Sequence, residues 1–289
     1  ELGQHWFGVG SLQEWDGWSR MQEATDGSAA RGSIAAVHTL KESETVALLA
    51  TGPKRLTLPE QWNFLAIWRR LAMDEGAKPA DRVKAWTRVA DELQVRRQLP
   101  EAATALRAAL ALEDDRDEKD NLERRINQIA QSWARLEALP AQPAGREAEL
   151  SLTFRNAKSI SFVARRIDMA KLVEDSIAYL KTKPDQNTFD SDFAEVRNIG
   201  QRLIRDHSQK YLSPPVDAWE MDLEPLPNHW DKHLTMKTPL KDGGAYLIEG
   251  KVADGNTARC VLWIEDLVML HYTTMDGGER QFVADAVTG

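Results

Sequence analysis

The run from Gly243 to Leu270, GGAYLIEGKVADGNTARCVLWIEDLVML, restricts the fold of this chain more than any other stretch. β-branched, aromatic and aliphatic residues fill both of its arms, and Asp254-Gly255-Asn256 between them supplies residue types that tolerate positive φ. That pattern is a hairpin signal. Strand side chains alternate, so Val261, Trp263 and Glu265 share one face while Cys260, Leu262 and Ile264 share the other. Both faces are largely apolar at their centre. The second arm is therefore expected deep in a packed sandwich, with Trp263 turned toward the interior or toward a covering helix.

Other strands surround this hairpin in the sequence. Leu150–Asp168 reads as a pair of strands, and Val216–Leu223, centred on Trp219, as another. Two helical patterns interrupt them at about 169–205: Met169, Leu172, Val173, Ile177 and Leu180, then Phe189, Phe193, Val196, Gly200 and Leu203. The expected β-sandwich spans 147–274, and residues 275–289, with Phe282–Gly289, read as the start of a following module.

These strands resemble the macroglobulin-type sandwich domains of the bacterial alpha-2-macroglobulin family. The likeness lies in Gly244-Ala245-Tyr246-Leu247, leading through the turn to an apolar strand that ends at Asp266-Leu267-Val268, and in the opening pair Leu150–Asp168. The resemblance implies a segment of a protease-trapping endopeptidase inhibitor. In such a protein a bait segment is cut, the molecule rearranges, and the protease is caged. It also implies a parent exported to the periplasm or cell envelope, with proteases as partners through the full-length protein. Many members carry a thioester between a Cys and a Gln three residues on. Here Val261, Leu262 and Trp263 follow Cys260, so no such bond forms, and Cys260 is expected to be a small buried hydrophobe.

The first half of the chain has a different period. Leu58, Trp62, Leu65, Trp68 and Leu71 repeat at helical spacing, with Pro59 suited to a first turn and Gly76 to an end. A second helix follows Pro79 with Val83, Trp86, Val89, Ala90 and Leu93, and a third follows Leu99-Pro100 with Ala102, Leu106, Ala109 and Leu110. These two look like one tetratricopeptide repeat, in which small residues let two helices approach closely. Arg97 stands where the inter-helix turn usually has Gly, Leu99 where it has an aromatic, and Asp114 where it has Pro. Helices over 58–74 and 118–139, the latter with Leu122, Ile126, Ile129, Trp133 and Leu136 in one stripe, are expected to complete the stack. Region 55–140 is thus read as helical, ending at the Pro140–Gly145 linker. Residues 1–54 are left unassigned. They carry the aromatic cluster Trp6, Phe7, Leu12, Trp15, Trp18 and Met21, read as a packing cap, with a carbohydrate platform as the rarer use.

A net charge of −8 argues against nucleic acid or an anionic membrane as partner. One cysteine in 289 residues excludes a disulfide framework. His229 and His233 have the i, i+4 spacing of a helical metal pair, but Trp230 holds the place of the general-base Glu, and Pro225 and Pro227 point to a loop. They are read as solvated histidines, and His5, His38, His207 and His271 have no readable partners. The acidic run Glu113–Glu118 lacks the alternating ligands and Gly of a calcium loop, and carboxylates at a helix N-terminus account for it. No catalytic, cofactor-binding or metal-binding residue is expected.

The chain opens without Met and stops inside a strand-like motif, so it reads as a fragment of a longer polypeptide. The expected architecture is multidomain α+β: a tetratricopeptide-like helical stack followed by an antiparallel macroglobulin-type sandwich with a helical insertion. The expected role is non-enzymatic and structural. A helical-repeat adaptor binding protein partners, with the sandwich as accessory, is the alternative from another functional class.

Overall fold

The computed structural model describes residues 37–49, 52–137, 139–181, 209–273 and 277–288. The chain divides into two compact units, one of residues 1–131 with Pro227–Trp230, the other of 132–226 with 231–289. The aromatic cluster of residues 6–21, together with His5, His207 and the second inserted helical pattern from Phe189 to Leu203, lies outside the described residues.

The described part of the first unit opens with a 3₁₀ turn, Val37–Thr39, and a hairpin, β1 (Glu44–Leu49) and β2 (Gly52–Thr57), pairing Glu44 with Thr57 and Leu49 with Gly52. Four helices follow: α1 (Phe64–Met73), α2 (Pro79–Val95), α3 (Leu99–Leu110) and α4 (Arg116–Ala130). α1 starts later than the apolar repeat suggests, because Pro59 leads only into a short 3₁₀ turn and Asn63 caps the helix by accepting from the Ala66 amide at 3.1 Å. Trp62 is consequently exposed. α2 opens on Pro79, where a missing amide costs nothing. Leu65, Val83, Val89, Ala90, Leu93, Ala102, Ala105, Leu106, Ala109, Leu122, Ile126 and Ile129 form one buried cluster. Its many alanines bring α2 and α3 close together at little side-chain entropy cost.

The fourth helix ends at Ala130, short of the 139 expected from its apolar stripe, and Trp133–Glu137 is a strand, β3. Trp133 and Leu136 extend the helical spacing of Leu122, Ile126 and Ile129 by coincidence. Their burial alternates, with Ala134 and Leu136 inside, because the segment pairs with β5. The change of unit therefore falls at Gln131 and Ser132, ahead of the Pro140–Gly145 segment.

The second unit is a sandwich. One sheet has five strands in the order β4-β10-β9-β6-β7 and the other three, β3-β5-β8, with β4 Gln142–Pro143, β5 Glu149–Arg155, β6 Ser159–Ile167, β7 Leu212–Asp222, β8 Lys232–Lys237, β9 Gly244–Val252 and β10 Thr257–Glu265. Pairing is antiparallel except for the short β4–β10 contact. Leu150, Leu152 and Phe154 of β5 meet Ile160, Phe162, Ile248, Leu262 and Ile264 in one core. Fully burying a side chain of this size contributes roughly 1.5–3 kcal/mol. Helix α5 (Met169–Lys181) lies beside a smaller cluster of Ile167, Leu172, Tyr211, Ala245 and Leu247. β9 is thus buried on both faces.

Gly255 in the β9–β10 turn is required by proximity, because any Cβ there would collide with the Ser132 carbonyl oxygen, with which it bridges. Its neighbour Asn256 reaches across to β3, accepting from the Ala134 amide at 2.9 Å and donating to the Ala134 carbonyl at 2.8 Å. The turn that reads as a hairpin signal therefore also fixes the opposite sheet.

Beyond Glu265 the expected single arm breaks. Asp266 is a bend, and β11 (Leu267–Thr273) leaves the sandwich to pair with β12 (Glu279–Asp285) as a separate ribbon.

Candidate functional site

The two histidines of the sequence motif do not share an element. His229 sits in a 3₁₀ turn with φ 57°, whereas His233 is on β8, its Nδ1 hydrogen-bonded to Thr153 Oγ1 at 2.7 Å. Asp231 between them is held by Arg155 at 2.8 Å. Among the described residues no group of three or more His, Cys, Asp or Glu is placed to hold a metal ion. The acidic run is spent on local capping. Asp115 accepts from the amides of Asp117 and Glu118, both at 3.0 Å, and Glu113 accepts from Asp114 and Asp115 at 2.9 and 3.0 Å.

Cys260 is buried in the sandwich core, and burial pushes its thiol up to about 12. The nucleophilic thiolate is therefore suppressed. Trp263 departs from expectation: it is 39% exposed on the outer face of the five-stranded sheet. The inward face is taken by Cys260, Leu262 and Ile264, and α5 gathers Ala245, Leu247 and Val261 on the outer face without burying Trp263.

In the helical unit, two arginines that the sequence did not single out for function organise the turn between α2 and α3. Arg96 is buried at 2% exposure, paired with Glu92 at 2.8 Å, donating to the Lys41 carbonyl at 3.1 Å and lying 5.7 Å from the Phe64 ring centroid. Arg97 takes the left-handed conformation, φ 57°, at the position where a glycine is usual. Its carbonyl accepts from Trp230 Nε1 at 3.2 Å, and its guanidinium lies 6.0 Å from the Trp230 ring. The His38 ring meets the same indole edge-on, centroids 4.9 Å apart. Gln98 donates to the carbonyls of His38 and Leu40 at 3.2 and 2.8 Å, fixing the 3₁₀ turn Val37–Thr39 that carries His38. The signal in sequence was the anomalous Arg97. Nothing in it pointed to Trp230 as the partner.

Among the described residues, the ribbon carries a run of uncovered apolar side chains from Leu267 to Tyr272, with Phe282 and Val283 opposite. Residues directly opposite share a face, which puts Val268 with Ala284, Leu270 with Phe282 and Tyr272 with Arg280 on one side. Leu270, Phe282 and Tyr272 are 57%, 56% and 51% exposed. A lone two-stranded hairpin is marginal in water, and contiguous apolar surface of this kind marks an interaction face.

No family model matches this chain, and no curated protein matches it. Among no described residues is there a helix long and apolar enough to cross a membrane. Among solved structures, the chain is similar to a crystal structure of native alpha-2-macroglobulin from Escherichia coli spanning domains MG0-NIE-MG1, at 13% identity and a TM-score of 0.33, over 54% of this chain and 55% of that one. It is also similar to a structure of the same protein spanning domains NIE-MG1, at 13% identity and a TM-score of 0.31, over 56% of this chain and 72% of that one. The chain thus spans about half the length of the first of these structures. Likenesses at this level assign neither family nor activity.

Proposed function

We propose that this chain is a non-catalytic structural segment of a bacterial, exported, alpha-2-macroglobulin-like protease-trapping protein. The observation that carries the proposal is the position of the Gly244–Glu265 hairpin, whose strands β9 and β10 lie inside the five-stranded sheet and whose inward residues fill the sandwich core. Those are the residues on which the sequence resemblance rests. The exposed ribbon fits the same role as the opening of a following module. A two-stranded ribbon is marginal in water by itself. A tethered neighbour supplies the missing stability through effective concentration. In this proposal the fragment contributes frame, and the α2–α3 pair is a tetratricopeptide-like brace within it.

The test uses the longer protein that contains this chain. Incubated with endopeptidases of several classes, it is expected to comigrate with the enzyme after a single cut, leaving small peptide substrates cleavable and large protein substrates protected. Absence of any such complex across serine, cysteine and metallo-endopeptidases overturns the trapping role. The purified chain alone is expected to leave protease activity unchanged. If it instead captures peptides through the helical unit, the repeat adaptor replaces the frame.

A further inference from the structure

Trp230 belongs with Pro227–His229 to the helical unit, although the segments on either side, up to Leu226 and from Asp231, belong to the sandwich. Its indole is held there by contacts of three kinds: the hydrogen bond to the Arg97 carbonyl at 3.2 Å, the Arg97 guanidinium, and the edge of His38. His38 is the titratable member, and it shares its surroundings with two permanent cations, Arg97 in the inter-helix turn and Arg55 on β2. Arg55 itself donates to Thr39 Oγ1, beside His38 in sequence. The carboxylates of the segment that follows His38 are engaged elsewhere: Glu42 with Arg69 at 3.8 Å, and Glu44 with the Lys41 amide at 2.8 Å. His229 and Asp231 flank Trp230, and Asp231 pairs with Arg155.

We propose that this seat is a pH-sensitive latch, in which protonation of His38 adds a third positive charge beside Arg97 and Arg55 and releases Pro227–Trp230 from the helical unit. Burial and the two guanidinium groups, Arg97 before Arg55, already hold the imidazole below its ordinary value. The sign follows from linkage. The released form binds the proton more readily than the seated form, so the latch holds above the ordinary His pKa of about 6.5 and loosens as pH falls through it. Acidification would then free the β7–β8 connection.

The experiment is hydrogen exchange of the full chain at pH 7.5 and 5.5, corrected for intrinsic rates, read on the peptide that contains residues 227–230. Protection is expected to fall about three- to tenfold at the lower pH. His38→Gln should keep the high-pH protection and abolish the change, whereas His229→Gln should leave it intact. A flat wild-type response, or a response removed by His229→Gln and kept by His38→Gln, overturns the latch. If His38→Gln fails to fold, an NMR titration of wild type decides: the His38 ring and Trp230 indole N–H resonances must move with one midpoint, and separate midpoints overturn the proposal.

Discussion

The indole N–H of Trp230 donates to the backbone carbonyl of Arg97 at 3.2 Å, across 133 positions of sequence, and Arg97 holds that carbonyl in place from a left-handed conformation. A side chain in this conformation costs roughly 1–2 kcal/mol that glycine would not. The arginine offsets part of that cost through its position beside the indole.

Removing the indole separates these contributions. Trp230→Ala is expected to destabilise the chain by about 2–3 kcal/mol, less than the 3–5 typical of a fully buried aromatic, because Trp230 is only half-buried. Trp230→Phe keeps the ring and loses the donor, for an expected cost of about 1 kcal/mol. Urea denaturation of both variants checks the pair, and a Trp230→Phe loss near zero would show that the hydrogen bond carries nothing.

Adjacent residues on β10 test the register of the sandwich. Leu262 is fully buried and Trp263 is 39% exposed, so Leu262→Ala should cost about 3–4 kcal/mol and Trp263→Ala about 1. A single-residue slip of the strand would exchange the two values. Thermal unfolding of the two variants distinguishes the registers directly.

The Cys260 thiol predicts an alkaline dependence. Its folded-state pKa of about 12 lies above the ordinary 9.0, so between these values the folded state keeps a proton that the unfolded state has lost. Stability is therefore undiminished below pH 9 and falls as pH rises toward 12. Cys260→Ala should flatten that part of the pH profile. In the native protein at neutral pH the thiol should resist Ellman's reagent and react only after denaturant is added. Rapid native labelling would place β10 at an exposed edge.

Much of the architecture was legible because two periods are written plainly into the chain. The alternation from Thr257 to Glu265 could bury one face only as a strand, and Val83, Val89, Ala90 and Leu93 could share a face only as a helix. The strands β5 and β6, the β9–β10 hairpin and helices α2 and α3 follow from such local patterns, although β5 and β6 fall in opposite sheets. The place of the acidic run at a helix N-terminus was legible as well, since capping needs only neighbours in sequence.

Only tertiary structure decided the rest. Trp133–Glu137 satisfies helical spacing as well as strand alternation, and its pairing with β5 chose between them. Trp263 could have faced either side, until three smaller apolar residues of the same strand filled the core and left it on the outer face. Gly255 looked like a turn residue and proved necessary because the Ser132 backbone approaches it. Arg97 advertised an anomaly, but its partner lay far along the chain. Side-chain period is a local property of the backbone and can be read from the residues in order, whereas long-range pairing and close approach depend on which segments meet in space.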